Sequence, residues 1–217
     1  MQIEKLILLT NDIAATKNFY AQKLELPVLE DGEDFVAFPV GSSILQFNKT
    51  SIANAVYHFA FNIPSNKINH AIDWCRRKAL KLLPYQEKEL VDFPNWNSHS
   101  IYFLDNNGSI LEFIARHDLN NAAADDFGSK HLLCISEIGV VTTDVIEFCN
   151  KAEKEYAIPY YEKQNPAPDF SVMGDAEGLF IVVPEKRKWF PTTITSTIFP
   201  LEVTIKQAGN DYSLSLP

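Results

Sequence analysis

Residues 3–12 read IEKLILLTND, and the same plan returns at residues 55–65 as AVYHFAFNIPS and at residues 135–144 as ISEIGVVTTD. Each is a short apolar run closing on polar residues of the kind that start a helix. Aligned, the three runs place Lys5, His58 and Glu137 in one slot of the opening strand. An ionisable residue recurring at one strand position predicts that different units send side chains into a shared cleft.

Working outward, each opening run is followed by a helix and further short strands. In unit one Asn11 or Asp12 caps a helix carrying Ile13, Tyr20 and Leu24 on one stripe, and Pro27 ends it. Val28–Glu30, Phe35–Val40 and Ile44–Phe47 then read as strands parted by Asp31-Gly32 and Gly41-Ser42 turns. Unit two opens with Tyr57–Ile63, and its helix carries Ile68, Ala71, Ile72, Cys75 and Ala79 at helical spacing. Strands Lys81–Leu83, Ser100–Leu104 and Ser109–Ile114 follow, with Gln86–Asn97 as an inserted loop. Unit three has an Asp144 cap, a stripe through Val145, Cys149, Ala152 and Tyr156, and a closing strand Gly178–Val183. Phe199–Lys206 alternates as one more strand, and the tail from Gln207 is expected to fray.

The expected fold is therefore α+β: repeated βαβββ modules forming a curved, mostly antiparallel sheet, with a third partial module. Modules 1–50 and 55–117 are expected to pair into one cup within residues 1–117, and 131–206 forms the third module with its extra C-terminal strand. Asp118–Lys130 reads as the linker. The third module, left without a partner, should pack on a second copy or cover the open end of the cup. A homodimer is the expectation.

Composition narrows the function classes. With 217 residues, 46% hydrophobic and 22% charged, the chain can bury a sizeable core. A formal charge of −9, from 19 Lys+Arg against 28 Asp+Glu, argues against a nucleic-acid partner. No apolar run reaches the roughly 18 residues of a membrane span, and MQIEKL carries a charge pair where a signal peptide has its apolar core. Cys75, Cys134 and Cys149 lack metal-type spacing and read as buried thiols of a cytoplasmic protein.

The βαβββ repeat resembles the vicinal oxygen chelate superfamily of glyoxalase I, extradiol dioxygenases, fosfomycin-resistance thiol transferases and bleomycin-resistance proteins. The resemblance rests on LLTNDIAATKNFYAQKLELPV at residues 8–28 and HSIYFLDNNGSILEFIAR at residues 99–116. It covers residues 3 to 116 well and unit three weakly. In metal-using members the ligands come from the first and last strands of paired units. The resemblance therefore implies Lys5, Gln46, His58 and Glu112 as site positions. Of these, His58, Glu112 and Gln46 are metal-ligand types, for a divalent Zn, Ni, Mn or Fe ion. Lys5 departs from the pattern, because an ammonium about 4 Å from a cation costs roughly 4 kcal/mol per unit charge at an effective dielectric near 20. It would instead turn away, lose its proton, or stand in the metal's place and pair with Glu112. The slot of Glu137 offers no second ligand, since Phe180, Ile181 and Val182 occupy the closing strand. No metal site is expected in unit three.

Lys5, Trp96, Asn97 and Tyr102 are the expected substrate contacts, with Trp96 between two amides as a stacking surface or a cap on the core. Trp189-Phe190-Pro191 reads as a cup lid or an interface anchor. Two readings stay open. One is a protein that binds and transforms a small oxygen-rich or aromatic molecule at a metal, by lyase, isomerase or dioxygenase chemistry. The other is a metal-free binder of planar or cationic molecules, as in bleomycin-resistance proteins.

Overall fold

A computed structural model describes residues 1–216. Unit one comprises β1 (Gln2–Thr10), α1 (Ile13–Asn18), β2 (Glu30–Asp31), β3 (Phe35–Val40) and β4 (Ser43–Lys49). Unit two comprises β5 (His58–Ile63), α2 (Ile68–Arg77), β6 (Val91–Phe93), β7 (Ser98–Leu104) and β8 (Ile110–Arg116). Unit three comprises β9 (Cys134–Thr142), α3 (Val145–Tyr156), β10 (Ser171–Asp175) and β11 (Gly178–Pro184). A hairpin of β12 (Leu201–Gln207) and β13 (Asn210–Leu216) closes the described chain.

The local signals act as their chemistry requires. Asp12 and Asp144 cap α1 and α3, accepting from the amides of Ala15 and Glu147 at 2.9 Å each. α1 passes into a single π-helical turn over Phe19–Lys23, which seats Tyr20 between Phe38 and Phe47 with ring centres 5.5 and 4.8 Å away. The Tyr20 hydroxyl donates to Asp105 at 2.9 Å, tying unit one to the β7–β8 turn of unit two. α2 ends before Ala79, whose positive φ of 51° terminates the helix, so Ala79 is exposed and not part of the buried stripe.

In every unit the opening strand runs parallel to the closing one: β1 with β4, β5 with β8, β9 with β11. The units then join through the free edges of their opening strands. That joining corrects the expected pairing. β5 lies antiparallel to β9, with Phe59 opposite Ile138 and Ala60 opposite Glu137, so the cup is built from units two and three. β1 instead pairs antiparallel with β12 over Gln2–Ile7, and meets β9 at the single pair Ile3 and Ile135. The structural ground for expecting a second copy against unit three thus falls away, because β9 finds its partner within the chain.

Smaller corrections follow the same logic of tertiary partners. The tail beyond Gln207 is a seven-residue strand, since β12 offers it a full ladder. Lys81–Leu83 is reduced to one bridge between Leu82 and Phe103, and β6 inside the inserted loop takes the place beside β7. Cys75 and Cys149 are buried, whereas Cys134 at the start of β9 is only half-buried, and all three are free thiols. No helix among the described residues is long and apolar enough to cross a membrane. The main core lies between the sheet and α1, α2 and α3. A second apolar cluster, including Tyr102, Ile181 and Trp189, sits on the other face, in the cup.

Candidate metal centre and ligand cavity

Every residue of β5 is buried, and alternate residues of a strand share a face. His58, Ala60 and Asn62 therefore line up along the floor of the cup. Ala60 is in register with Glu112 on β8 and with Glu137 on β9. Its methyl group is short, so the two longer carboxylate side chains close over it toward His58. The three residues are 3–6% exposed, and one donor atom from each lies within 4.8 Å of the others. Two donors bound to one ion at about 2.1 Å sit about 3 to 3.5 Å apart, so the set needs only a small contraction to hold a cation.

The imidazole is oriented for that task. His58 Nδ1 lies 3.2 Å from the Ile110 carbonyl, which can only accept, so this nitrogen carries the proton. The lone pair of Nε2 is then left toward Glu112, 3.6 Å away. That separation is too long for a hydrogen bond. Nor is it an ion pair: burial drives the imidazole down to about 4, and burial together with the Glu137 charge raises Glu112 to about 8. Burial also raises Glu137, opposed by the Arg116 guanidinium, whose Nη2 donates to Glu137 Oε1. Arg116 is 1% exposed, and its Nε donates to the side-chain Oδ1 of Asn62 at 3.3 Å. Glu137 thus keeps its second oxygen free while the first is held.

Above this floor opens a cavity of about 320 Å³. Trp96, Tyr102, Phe170, Trp189 and Phe190 wall it, with Asn95, Gln164 and Arg187 among its less buried lining residues. Trp189 packs beside His58, ring centres 5.3 Å apart. It can do so because residue 139 is glycine; a Cβ there would come within 2.6 Å of Trp189 Cη2. Trp96 lies under Arg116, with the guanidinium carbon 5.5 Å from its ring centre. Tyr102 stands opposite Glu112 across the β7–β8 ladder, its hydroxyl pKa raised by burial and by the charges of Glu112 and Glu137.

Of the residues singled out by sequence, His58 and Glu112 come together, and Trp96 and Tyr102 line the cavity. Gln46 does not join them. It lies on β4, half-buried, and donates to Asn48 at 2.7 Å. Lys5, on β1 between Ile44 and Thr204, is likewise off the cavity. Both belong to unit one, which the β5–β9 pairing leaves outside the cup. Asn97 points away, donating to Asp118 at 2.6 Å, and Asn95 takes its place in the lining. Glu137 supplies the third donor, which corrects the expectation that unit three contributes none. The opening-strand slot already marked it; the sequence did not reveal that a neighbouring unit completes the set. Arg187, in the Lys186-Arg187-Lys188 run, and Phe170 also line the cavity, and the sequence did not mark either as a site residue.

No family model matches the sequence, and no curated protein does. Among solved structures, a candidate dioxygenase from Bacillus subtilis matches 84% of this chain at 13% identity with a TM-score of 0.58, and this chain spans 63% of that protein. The chain has the vicinal oxygen chelate fold. Two further solved structures with lower scores are a glyoxalase/bleomycin resistance protein/dioxygenase from Nocardioides and a lactoylglutathione lyase from Agrobacterium tumefaciens. The first has 21% identity and a TM-score of 0.46, covering 58% of this chain and 89% of its own. The second has 19% identity and a TM-score of 0.44, covering 52% and 91%. On this fold, His58 and Glu112 of unit two and Glu137 of unit three form one buried cluster.

Proposed function

We propose that the chain holds a divalent metal ion on His58, Glu112 and Glu137 and binds a small oxygen-rich or aromatic molecule above it. The observation that carries this reading is the convergence of three buried donors, one neutral nitrogen and two carboxylates, at the floor of an aromatic-walled cavity. One nitrogen with carboxylate oxygens suits Mn, Fe or Zn. An ion bound there supplies Lewis acidity toward oxygens of the bound molecule.

The protein's own contribution is positioning. Ile110 fixes the imidazole tautomer, Arg116 holds one oxygen of Glu137, and Trp189 and Trp96 offer flat faces to a planar ligand while excluding water. Metal content of protein purified without chelator, by elemental analysis, tests the proposal. Close to one ion per chain, lost in His58→Ala with the fold intact by circular dichroism, is the expected result. Absence of metal after incubation with Mn, Fe(II) and Zn would refute it.

A second reading, a metal-free binder, draws on the Arg116–Glu137 ion pair, which already compensates one carboxylate while the other keeps its proton. Planar molecules would then raise the melting temperature of metal-free protein as much as that of metal-loaded protein.

A further inference from the structure

Residues 185–196, between β11 and β12, fold back on themselves as a small hairpin dipping into the cup. The Lys186 amide donates to Ser196 at 2.8 Å, the Ser196 amide to Arg187 at 2.7 Å, and the Trp189 amide to Ile194 at 2.8 Å. Lys188 and Thr195 form its bridge. Alternate residues of an extended strand face one way, and Arg187 and Trp189, two apart, both line the cavity. Trp189 is buried against His58; Arg187 is half-buried, one step nearer the mouth. At about 3.3 Å per residue, the two positions are about 7 Å apart along the strand.

Arg187 is held but not neutralised. Its guanidinium carbon lies 4.8 Å from the Phe170 ring centre, and its one hydrogen bond runs from Nη1 to the Lys188 carbonyl at 3.4 Å. Among the described residues no carboxylate comes within 4.0 Å of it. Asp92, also in the lining, lies 3.7 Å from His99 Nε2. A planar guanidinium resting on an aromatic face keeps its remaining N–H donors for a carboxylate-type group. The floor is acidic, the walls are aromatic, and the unpaired cation belongs to the residue two positions before Trp189.

We infer that the cavity selects an aromatic acid, with ring oxygens toward His58, Glu112 and Glu137 and an anionic group bound by Arg187. This rests on the ligand-cavity part of the proposed function and names its substrate class. The probes are 3,4-dihydroxybenzoate, its neutral amide and 3,4-dihydroxybenzylamine. They are titrated against Trp fluorescence with and without Mn(II), on the wild-type chain and on Arg187→Gln. The acid should bind at least tenfold tighter than the amide, and the amine weakest. In Arg187→Gln the acid-to-amide ratio should fall to within about twofold while metal content is unchanged.

Equal affinity for acid and amide, a ratio unaltered in Arg187→Gln, or no binding of any probe at 10 mM each overturns the inference. The outcomes separate from those of the metal proposal. Acid preference in protein that takes up no metal sinks only the metal; full metal content without acid preference sinks only this inference.

Discussion

Replacing Arg116 with methionine should destabilise the protein far more than loss of an ordinary surface charge. Arg116 and Glu137 are 1% and 3% exposed, so their ion pair has almost no contact with bulk solvent. The methionine side chain has similar length and leaves no large hole, but it leaves Glu137 uncompensated beside Glu112. Breaking a buried pair by removing one partner costs about 3–5 kcal/mol. For a chain of this size each kcal/mol lowers the melting temperature by about 2–4 °C, so a fall of about 6–20 °C is expected. Urea denaturation at pH 7 gives the free energy directly, and Arg116→Met combined with Glu137→Gln completes the cycle. Because neutralising both partners removes the stranded charge, the double variant should recover most of the loss. A single-variant loss below about 1 kcal/mol, or a double variant as unstable as the two single losses added, would refute this account of the pair.

Gly139→Ala should displace Trp189, because the new methyl would lie 2.6 Å from its ring. A loss of about 1–3 kcal/mol in denaturant titration, with altered Trp fluorescence, is expected; an unchanged spectrum would contradict the packing. Asp105 is raised from 3.8 to about 6, first by burial. Its protonated form is favoured in the folded state, so its contribution is complete below about pH 4 and is lost as pH rises through 6. At about 1.4 kcal/mol per pKa unit, the loss is about 3 kcal/mol. Asp105→Asn, which can still accept from the Asn107 and Ser109 amides, should remove that slope from stability measured between pH 4 and 7. Gln46→Ala should leave metal content unchanged, since Gln46 lies outside the cavity; a loss of bound ion would return it to the site.

Much of the fold could be read from local rules, and the reasons are visible in particular residues. Asp12 and Asp144 cap the helices they were expected to cap, the Asp105–Gly108 turn joins β7 to β8, and each of the three similar opening runs forms a strand. The missed pieces were those whose partner lies far along the chain. β13 is polar and alternating, and becomes a strand only because β12 offers its edge.

The site divides in the same way. Sequence alone determined that one strand slot carries Lys5, His58 and Glu137, and that Glu112 closes unit two. These depend on side-chain identity and on the two-residue period of a strand. Tertiary structure decided which of those residues meet. The free edges of β1, β5 and β9 are chemically alike, since all present the same backbone donors and acceptors, so the repeat cannot say which will pair. Packing decides it: β5 joins β9, where Gly139 makes room for Trp189, and β12 covers β1. His58 and Glu137 are thereby brought together, and Lys5 and Gln46 are left outside the cup.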